Sequence, residues 1–288
     1  MKTVLKHLFK LMKIRIAIAT GISATVGYFL STNDVSLIFL GVFFSAFFLA
    51  AGAASVNEIQ EWKFDALMNR TKSRPIPQSF FSPKEAALFP ILFFIIGFSI
   101  IAMFMISPIS LLIGLSAFIL YNGFYTPLKR VTPFATIPGA LIGIIPPILG
   151  WSFGSTNFLS PQLFALLIFL FVWQIPHFYF LLLIFEEDYR NAGFPVLTDK
   201  FSIIQISRIS FLFIITLVFV STMIIMTDVN FNLPIFILYI VAGGVLLFRV
   251  RKMFTMANSA KFYRNAFMQL NMYVMLVLIL ISINKFLI

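Results

Sequence analysis

Nine apolar segments, each long enough to cross a lipid bilayer, constrain the fold of this chain more than any other feature of its sequence. A spanning helix needs about 20 mostly apolar residues, because the hydrocarbon layer of a membrane is about 30 Å thick. Inside that layer no water can satisfy a free backbone amide, so each segment must be helical. The segments lie near residues 16–33, 35–56, 86–106, 108–128, 133–154, 161–185, 209–227, 229–248 and 266–284.

The composition excludes a soluble globular protein of this size. Of the 288 residues, 60% are hydrophobic and only 11% are charged, which leaves far more apolar surface than one soluble core can bury. The absence of cysteine excludes disulfides, thiolate metal sites and a cysteine nucleophile. The sequence therefore predicts an all-α polytopic membrane protein with nine transmembrane helices, forming a single domain over residues 1–288.

The positions of the basic residues predict the orientation of the chain. The net charge is +11, and with a cytoplasmic N-terminus twenty of the 21 lysines and arginines face the cytoplasm, only Lys285 lying outside. The positive-inside rule therefore predicts a cytoplasmic N-terminus and an outer C-terminus, and it explains the charge without a nucleic-acid partner. The cytoplasmic set comprises Lys2, Lys6, Lys10, Lys13, Arg15, Lys63, Arg70, Lys72, Arg74, Lys84, Lys129, Arg130, Arg190, Lys200, Arg208, Arg249, Arg251, Lys252, Lys261 and Arg264.

The connecting loops indicate which side carries function. The inner loops at 57–85 and 186–208 are long and polar, whereas the outer loops are short and contain Asp34 and Asp228. Because functional residues concentrate in loops, we expect the site on the cytoplasmic side. The fourth and eighth spans both end in basic residues, which suggests a four-plus-four helix pseudo-repeat followed by a ninth helix.

Three oxygen-bearing side chains follow one another at four-residue intervals at the end of the second span. If the helix continues through 57–65, then Asn57, Glu61 and Asp65 share one face, while Lys63 points elsewhere. Such hard oxygen ligands suit Mg²⁺, which takes one or two carboxylates and fills its other positions with water and phosphate oxygens. The alternative interpretation is a solvated polar helix end.

Basic side chains accompany the acidic ones. Arg70 and Arg74 bring forked cationic donors next to the acidic face, and carboxylates for Mg²⁺ beside arginines are the groups that bind a diphosphate. The acidic cluster at 186–188, which is followed by Arg190, repeats this combination on the same predicted side. Lys129 and Arg130 add cations, although anchoring at the membrane surface would also explain this pair. For either acidic cluster alone, solvated surface is the ordinary alternative.

The fifth and sixth spans contain residues that are unusual inside lipid. His177 lies within the sixth span, and an ionisable residue there is either functional or packed and hydrogen-bonded to a neighbouring helix. The fifth span should be kinked and closely packed, because it contains several prolines and glycines. They are Pro138, Gly139, Gly143, Pro146, Pro147 and Gly150.

Three motifs lie between residues 57 and 195, within a likeness to known sequences that covers nearly the whole chain. The first motif runs from Asn57 to Thr71. It consists of an asparagine, acidic residues four and eight positions after it, and then the sequence Met-x-Arg-Thr. The second is Tyr-Thr-Pro-Leu-Lys-Arg at 125–130, followed by Pro-Pro-x-x-Gly-Trp at 146–151. The third is Trp-x-x-Pro-His-Phe at 173–178, followed by Asp-Tyr-x-x-Ala-Gly-x-Pro at 188–195. In these motifs the chain resembles the UbiA superfamily of intramembrane prenyltransferases, and within it the protohaem IX farnesyltransferases, or haem O synthases.

This resemblance implies a reaction and a set of site residues. The reaction is transfer of a farnesyl group from farnesyl diphosphate to a vinyl group of haem b, giving haem O, with Mg²⁺ assisting departure of the diphosphate. The implied metal ligands are Asn57, Glu61, Asp65 and Asp188, which with Tyr125 form the implied catalytic set. The implied diphosphate-binding residues are Arg70, Arg74, Lys129 and Arg130, and the implied haem-binding residues are Trp173 and His177.

The resemblance also implies a setting for the enzyme. It places the chain as a multi-pass protein in the plasma membrane of a prokaryote, with a haem A synthase or oxidase assembly proteins as possible partners. Two positions depart from the family pattern. Glu61 stands where aspartate is usual and Lys63 where another acid is common, so the number or affinity of the metal ligands could differ.

Other functions remain open from the sequence. A prenyltransferase for another ring acceptor, such as a quinone precursor, would share the motifs, because the shape of the pocket sets the choice of acceptor. A secondary transporter would also be polytopic, but its coupling charges usually lie near the bilayer midplane. A non-catalytic haem-handling assembly factor would not need a Mg²⁺-type ligand set.

Overall fold

The computed structural model describes residues 2–32, 36–227, 232–255 and 259–287, and within these ranges every regular element is a helix. Asp34 and Asp228, predicted in outer loops, lie outside the described residues. The α-helices in chain order are α1 Lys2–Leu11, α2 Ile14–Ser31, α3 Ile38–Asp65, α4 Pro83–Ala86, α5 Leu88–Phe104, α6 Ile109–Phe118, α7 Thr126–Leu128, α8 Thr136–Ile142, α9 Ile145–Trp151, α10 Pro161–Asn191, α11 Ile203–Met226, α12 Leu233–Val250 and α13 Ala260–Leu287.

Nine helical segments of the described chain are long and apolar enough to cross a membrane, which confirms the predicted all-α polytopic fold. Some extend beyond the apolar runs, because hydropathy marks where lipid contact ends and a helix can continue into polar surroundings. The orientation of the termini stays a prediction. The segments are Ile14–Ser31, Ile38–Asp65, Pro83–Phe104, Ile109–Leu128, Pro133–Trp151, Pro161–Asn191, Ile203–Met226, Leu233–Met253 and Ala260–Lys285.

The chain divides into two compact units. The first comprises Met1–Thr132, Ile145–Phe158 and Glu187–Phe194, and the second comprises Pro133–Ile144, Leu159–Glu186 and Pro195–Ile288. The predictions of a single domain over 1–288 and of a helix pseudo-repeat stay predictions.

The first unit is built on close contact of α2 with α3 and α9. A Cβ added at Gly150 would lie 1.7 Å from the carbonyl oxygen of Ala24, and one at Gly27 would lie 2.1 Å from that of Pro147. Glycine at these positions lets the backbones approach more closely than any side chain permits. The close packing predicted for the fifth span is therefore confirmed for its second half.

The N-terminal segment adds a short helix to the first unit. Leu11, at the end of α1, is fully buried with Ile76 and Ala86. The Nζ of Lys10 donates to the carbonyl oxygen of Ser73 at 3.0 Å. These contacts attach α1 to the loop that follows α3.

A pair of prolines interrupts the fifth span. The fifth span is broken between α8 and α9, as predicted, because Pro146 and Pro147 have no N–H to continue the helical hydrogen bonds. In contrast, α10 continues past Pro176 and departs from helical geometry only at Phe185, where φ is −123°.

In the second unit, buried hydroxyl groups join α11 to α13. Such hydrogen bonds hold apolar helices together where lipid leaves no hydrophobic driving force between them. The pairs are Ser207 with Tyr263 at 2.6 Å and Ser221 with Tyr273 at 2.5 Å.

Candidate active site

One face of α3 carries three buried polar side chains. Asn57, Glu61 and Asp65 are only 1%, 3% and 1% exposed. The Nδ2 of Asn57 donates to Oε2 of Glu61 at 2.9 Å, which confirms that residues four apart share this face. Lys63 is exposed beside the ring of Trp62, away from the acids, as predicted. Because buried carboxylates are costly unless they are paired, the face requires cations close to it.

Each of the three side chains on this face accepts a hydrogen bond from a different cationic side chain. Two of these cations, Lys129 and Arg74, were expected near the site from the sequence. The third, Lys13, was not. The pairs are Lys13 Nζ with Asn57 Oδ1 at 2.6 Å, Lys129 Nζ with Glu61 Oε2 at 2.6 Å, and Arg74 Nη1 with Asp65 Oδ2 at 2.5 Å.

Lys13 reaches the site from the junction of α1 and α2. Its backbone is left-handed, with φ 46° and ψ 54°, which separates the two helices and turns the chain between them. Burial among protein atoms, with Arg74 and Lys129 nearby, lowers the pKa of Lys13 to about 7. The sequence signal that could have found Lys13 is its position at the boundary between a basic amphipathic segment and the first apolar run.

The fourth span contributes a π-helical segment, Ile119–Tyr125. Pro127 lacks an N–H and its ring crowds the preceding turn, which favours a wider turn there. As a result the hydroxyl of Thr126 accepts from Nδ2 of Asn57 at 3.1 Å. The rings of Tyr121 and Tyr125 stack at 5.8 Å, and Nζ of Lys129 lies 5.6 Å from the centroid of the Tyr125 ring. Sequence reasoning named Tyr125 but missed Thr126 and Tyr121.

Arg130 lies at the edge of the same face. Its Nη2 donates to the carbonyl oxygen of Gln60 at 2.8 Å, and its guanidinium lies 4.9 Å from the ring of Phe64. Its Nε is 3.8 Å from Oε1 of Glu61, too far for a hydrogen bond. Arg130 therefore adds charge to the site, whereas Lys129 makes the direct contact with the carboxylate.

Asp188, near the end of α10, is hydrogen-bonded to the loop that follows α3 and contains Arg70. Both carboxylate oxygens of Asp188 accept backbone N–H groups, from Asn69 at 2.9 Å and from Arg70 at 3.0 Å. The Arg70 side chain is exposed and lies beside Tyr189, with Nη2 3.4 Å from the hydroxyl. Asp188 thus fixes the start of the loop that carries Arg74.

The donor set fits a metal that needs few protein ligands. Within the described residues no group of three or more His, Cys, Asp or Glu side chains could by itself hold a metal ion. Mg²⁺ needs only one or two carboxylates when water and phosphate oxygens complete its shell. Oε1 of Glu61 is buried without a hydrogen-bond partner in the described part of the chain, so an anionic oxygen remains for the metal.

Trp173 and His177 lie together in the second unit. Their rings meet edge to face, with centroids 5.1 Å apart. Nδ1 of His177 hydrogen-bonds with Oδ1 of Asn271 at 3.0 Å, and Phe267 packs 4.7 Å from the imidazole. The indole N–H of Trp173 is buried without a hydrogen-bond partner among the described residues. His177 is therefore bonded to a neighbouring helix, which neither requires nor excludes the haem contact predicted for it.

Comparison with known proteins identifies relatives of this chain. The model of the UbiA prenyltransferase family matches residues 20–273. The protoheme IX farnesyltransferase of Cytophaga hutchinsonii is 34% identical over 67% of this chain and 67% of its own length. That of Christiangramia forsetii is 33% identical over 71% of this chain and 69% of its own length.

Solved structures share the fold. A digeranylgeranylglyceryl phosphate synthase superposes with a TM-score of 0.78 at 17% identity, covering 99% of both chains. A UbiA homologue from Archaeoglobus fulgidus bound to DMAPP and Mg²⁺ gives a TM-score of 0.70 at 17% identity, covering 96% of this chain and 99% of its own. At this level of identity the likeness concerns the fold alone.

Proposed function

This chain belongs to the UbiA prenyltransferase family and is a multi-pass membrane prenyltransferase, and we propose that it transfers a farnesyl group from farnesyl diphosphate to a vinyl group of haem b, giving haem O. The proposed donor is supported by the polar face of α3 and its cations. The proposed acceptor is supported by the curated relatives, which are named protoheme IX farnesyltransferase.

The single observation that carries the proposal is the one-to-one pairing of cations with the side chains of α3. Lys13, Lys129 and Arg74 each approach one oxygen of that face within 2.6 Å. A metal diphosphate matches both halves of this surface, because the oxygens can take the metal while Lys129 and Arg74, once released, take the phosphate oxygens. A simple anion or a simple cation would match only one half.

The proposed roles follow from these contacts. Asn57, Glu61, Asp65 and Asp188 would hold Mg²⁺, with one or two of the carboxylates as direct ligands and the others acting through its bound water. When bound, the ion supplies neutralising charge to the diphosphate. Each oxygen of Asp188 accepts one N–H, and a carboxylate oxygen has a second lone pair. The groups that would stabilise the departing diphosphate are Arg70, Arg74, Lys129 and Arg130.

The transfer breaks the C–O bond to the diphosphate, the π bond of the haem vinyl group and one O–H bond of water, and it forms one C–C bond and one C–O bond. As the diphosphate leaves, the ring of Tyr125, which already has Lys129 beside it, would stabilise the allylic cation through its π face. The haem vinyl group attacks that cation and forms the C–C bond. Water then adds to the resulting carbocation and loses a proton, which gives the hydroxyethylfarnesyl side chain.

The haem would be bound by Trp173 and His177. Nδ1 of His177 is occupied by Asn271, which leaves Nε2 as the nitrogen for an axial contact with iron. A histidine ligand typically has its other ring nitrogen hydrogen-bonded, because that bond orients the ring. The unpaired indole N–H of Trp173 offers a donor to a polar group of the porphyrin.

The proposed setting is the plasma membrane of a prokaryote, with the acidic face of α3 toward the cytoplasm. The sidedness of the basic residues supports this orientation. The proposed partners, besides the lipid bilayer, are a haem A synthase or assembly proteins of a terminal oxidase, which would receive haem O. A secondary transporter is not supported, because the chain belongs to a prenyltransferase family.

A pigment assay tests the reaction and the acceptor together. The chain is expressed in membranes lacking endogenous haem O, as the parent, as Asp65→Ala, and as Lys63→Ala, which changes an exposed residue of the same helix. We expect a heavier, more hydrophobic haem with the parent and with Lys63→Ala, and none with Asp65→Ala or after chelation of Mg²⁺. A well-inserted parent that makes no farnesylated haem would contradict the haem assignment and direct the search to another ring acceptor, such as a quinone precursor.

A further inference from the structure

Glu58 is a fully buried carboxylate that no proposed step uses. It is 0% exposed, and neither of its oxygens accepts a hydrogen bond of normal geometry within the described residues. A buried carboxylate without a partner is strongly destabilising, so its presence requires an explanation.

Glu58 lies next to the cations of the proposed diphosphate site. It is three residues before Glu61 and seven before Asp65 in α3, so its side chain projects near the side of the helix that carries those two carboxylates. Arg74, Lys13 and the backbone N–H of Ile76 are close enough to favour a charged Glu58 carboxylate, whereas burial and the nearby charge of Asp65 disfavour it. Both cations are already hydrogen-bonded to other side chains of α3, Lys13 to Asn57 and Arg74 to Asp65.

Lys13, conversely, is a cation without a hydrogen bond to a carboxylate in the part of the chain that the structure describes. Within the described chain its ammonium donates one hydrogen bond, to the neutral amide oxygen of Asn57 at 2.6 Å, and none to a carboxylate. A partly buried ammonium is favoured by an ionised partner. Glu58 and Lys13 are therefore two incompletely satisfied groups of opposite charge in one place.

This inference rests on the proposed function, because it concerns the moment when a metal diphosphate binds. Oδ1 of Asn57 cannot serve Lys13 and a metal ion at full strength together, so binding displaces the ammonium. We propose that Glu58 receives the displaced Lys13 ammonium, and is thereby a positioning residue for the binding of Mg²⁺ and diphosphate. The ammonium passes between adjacent residues of one helix by side-chain rotation, and no proton or covalent bond changes.

A thermal-shift titration of the purified full chain in detergent tests the proposal without haem or a prenyl group. Mg²⁺ is titrated at fixed inorganic diphosphate, and the half-saturating Mg²⁺ concentration is read from the unfolding midpoint. The variants are Glu58→Gln, Lys13→Met and the double variant. Glu85→Gln is the matched control, because Glu85 is exposed and glutamine preserves its capping box.

We expect Glu58→Gln to raise the half-saturating Mg²⁺ concentration about tenfold in the parent background, but less than twofold when Lys13→Met is also present. Lys13→Met alone should stay within about threefold of the parent, since it removes the competing cation, and Glu85→Gln should match the parent.

Two outcomes would overturn the proposal. If Glu58→Gln raises the half-saturating Mg²⁺ concentration equally with and without Lys13→Met, then Glu58 acts on the metal directly. If Lys13→Met alone raises the half-saturating Mg²⁺ concentration tenfold, then Lys13 binds the diphosphate and the proposal is wrong. This second comparison does not need the Glu58→Gln variant, so it tests the proposal even if that variant misfolds. No Mg²⁺-dependent shift in the parent would instead count against the proposed function itself.

Discussion

The backbone N–H of Arg70 donates to Oδ2 of Asp188 at 3.0 Å, although the two residues are 118 positions apart in the sequence. Asn69 donates to the other oxygen of the same carboxylate. Met68 is buried beside these bonds with Ala192 and Phe194. Asp188 therefore holds in place the loop between α3 and Arg74, whatever its part in metal binding.

Replacing Asp188 should loosen this loop. In Asp188→Ala two N–H groups lose a charged acceptor, which costs about 1.5–3 kcal/mol for each hydrogen bond to a charged group. We expect faster limited trypsin cleavage after Arg70 or Lys72, together with loss of farnesyl transfer. Unchanged cleavage with lost activity would show that Asp188 serves the metal rather than the loop.

Lys129 should contribute more to the reaction than the neighbouring cations, because its Nζ contacts Glu61 directly and lies beside the Tyr125 ring. We expect Lys129→Met to lower the turnover rate about 10²–10³-fold, the usual effect of removing one group that stabilises developing charge. Lys84→Met, at an exposed position in α4, is the control and should keep the parental rate. Rates are measured as farnesylated haem formed per enzyme at saturating substrates. A loss under tenfold would contradict the role given to Lys129.

Close packing of α2 on α9 should make Gly150 intolerant of any side chain. Gly150→Ala would place Cβ 1.7 Å from a backbone carbonyl oxygen, so backbone must move. We expect destabilisation of about 1–3 kcal/mol or more, the range for overpacked cores. In Gly244→Ala nothing lies within 4 Å of the new Cβ, and this variant should unfold like the parent. Thermal unfolding in detergent measures both, and equal midpoints would contradict the described packing.

His177 is the residue through which haem binding can be tested. We expect His177→Ala to weaken haem binding and to change the Soret band of the haem-loaded chain, because Nε2 is the proposed axial donor. The chain has two histidines, and His7, which stacks on Phe80 at 3.8 Å, supplies the control His7→Ala. Haem binding that is the same in both variants would reject the assignment.

Local periodicity determined much of this protein from the sequence alone. The nine spans follow from run length and hydropathy, because the thickness of lipid sets a minimum helix length. The shared face of Asn57, Glu61 and Asp65 follows from helical spacing, and the break in the fifth span follows from its prolines. The motifs likewise identified the family that the comparisons confirm. All of these depend on neighbours within a few turns.

Only the tertiary structure decided which groups meet across the chain. Lys13 and Lys129 hydrogen-bond to residues of α3 that are 44 and 68 positions away in the sequence. The hydrogen bonds from the backbone of Asn69 and Arg70 to Asp188 also join segments that are distant in the sequence. Helical spacing cannot encode such contacts, because a pairing between distant segments depends on how whole helices pack and not on the interval between residues.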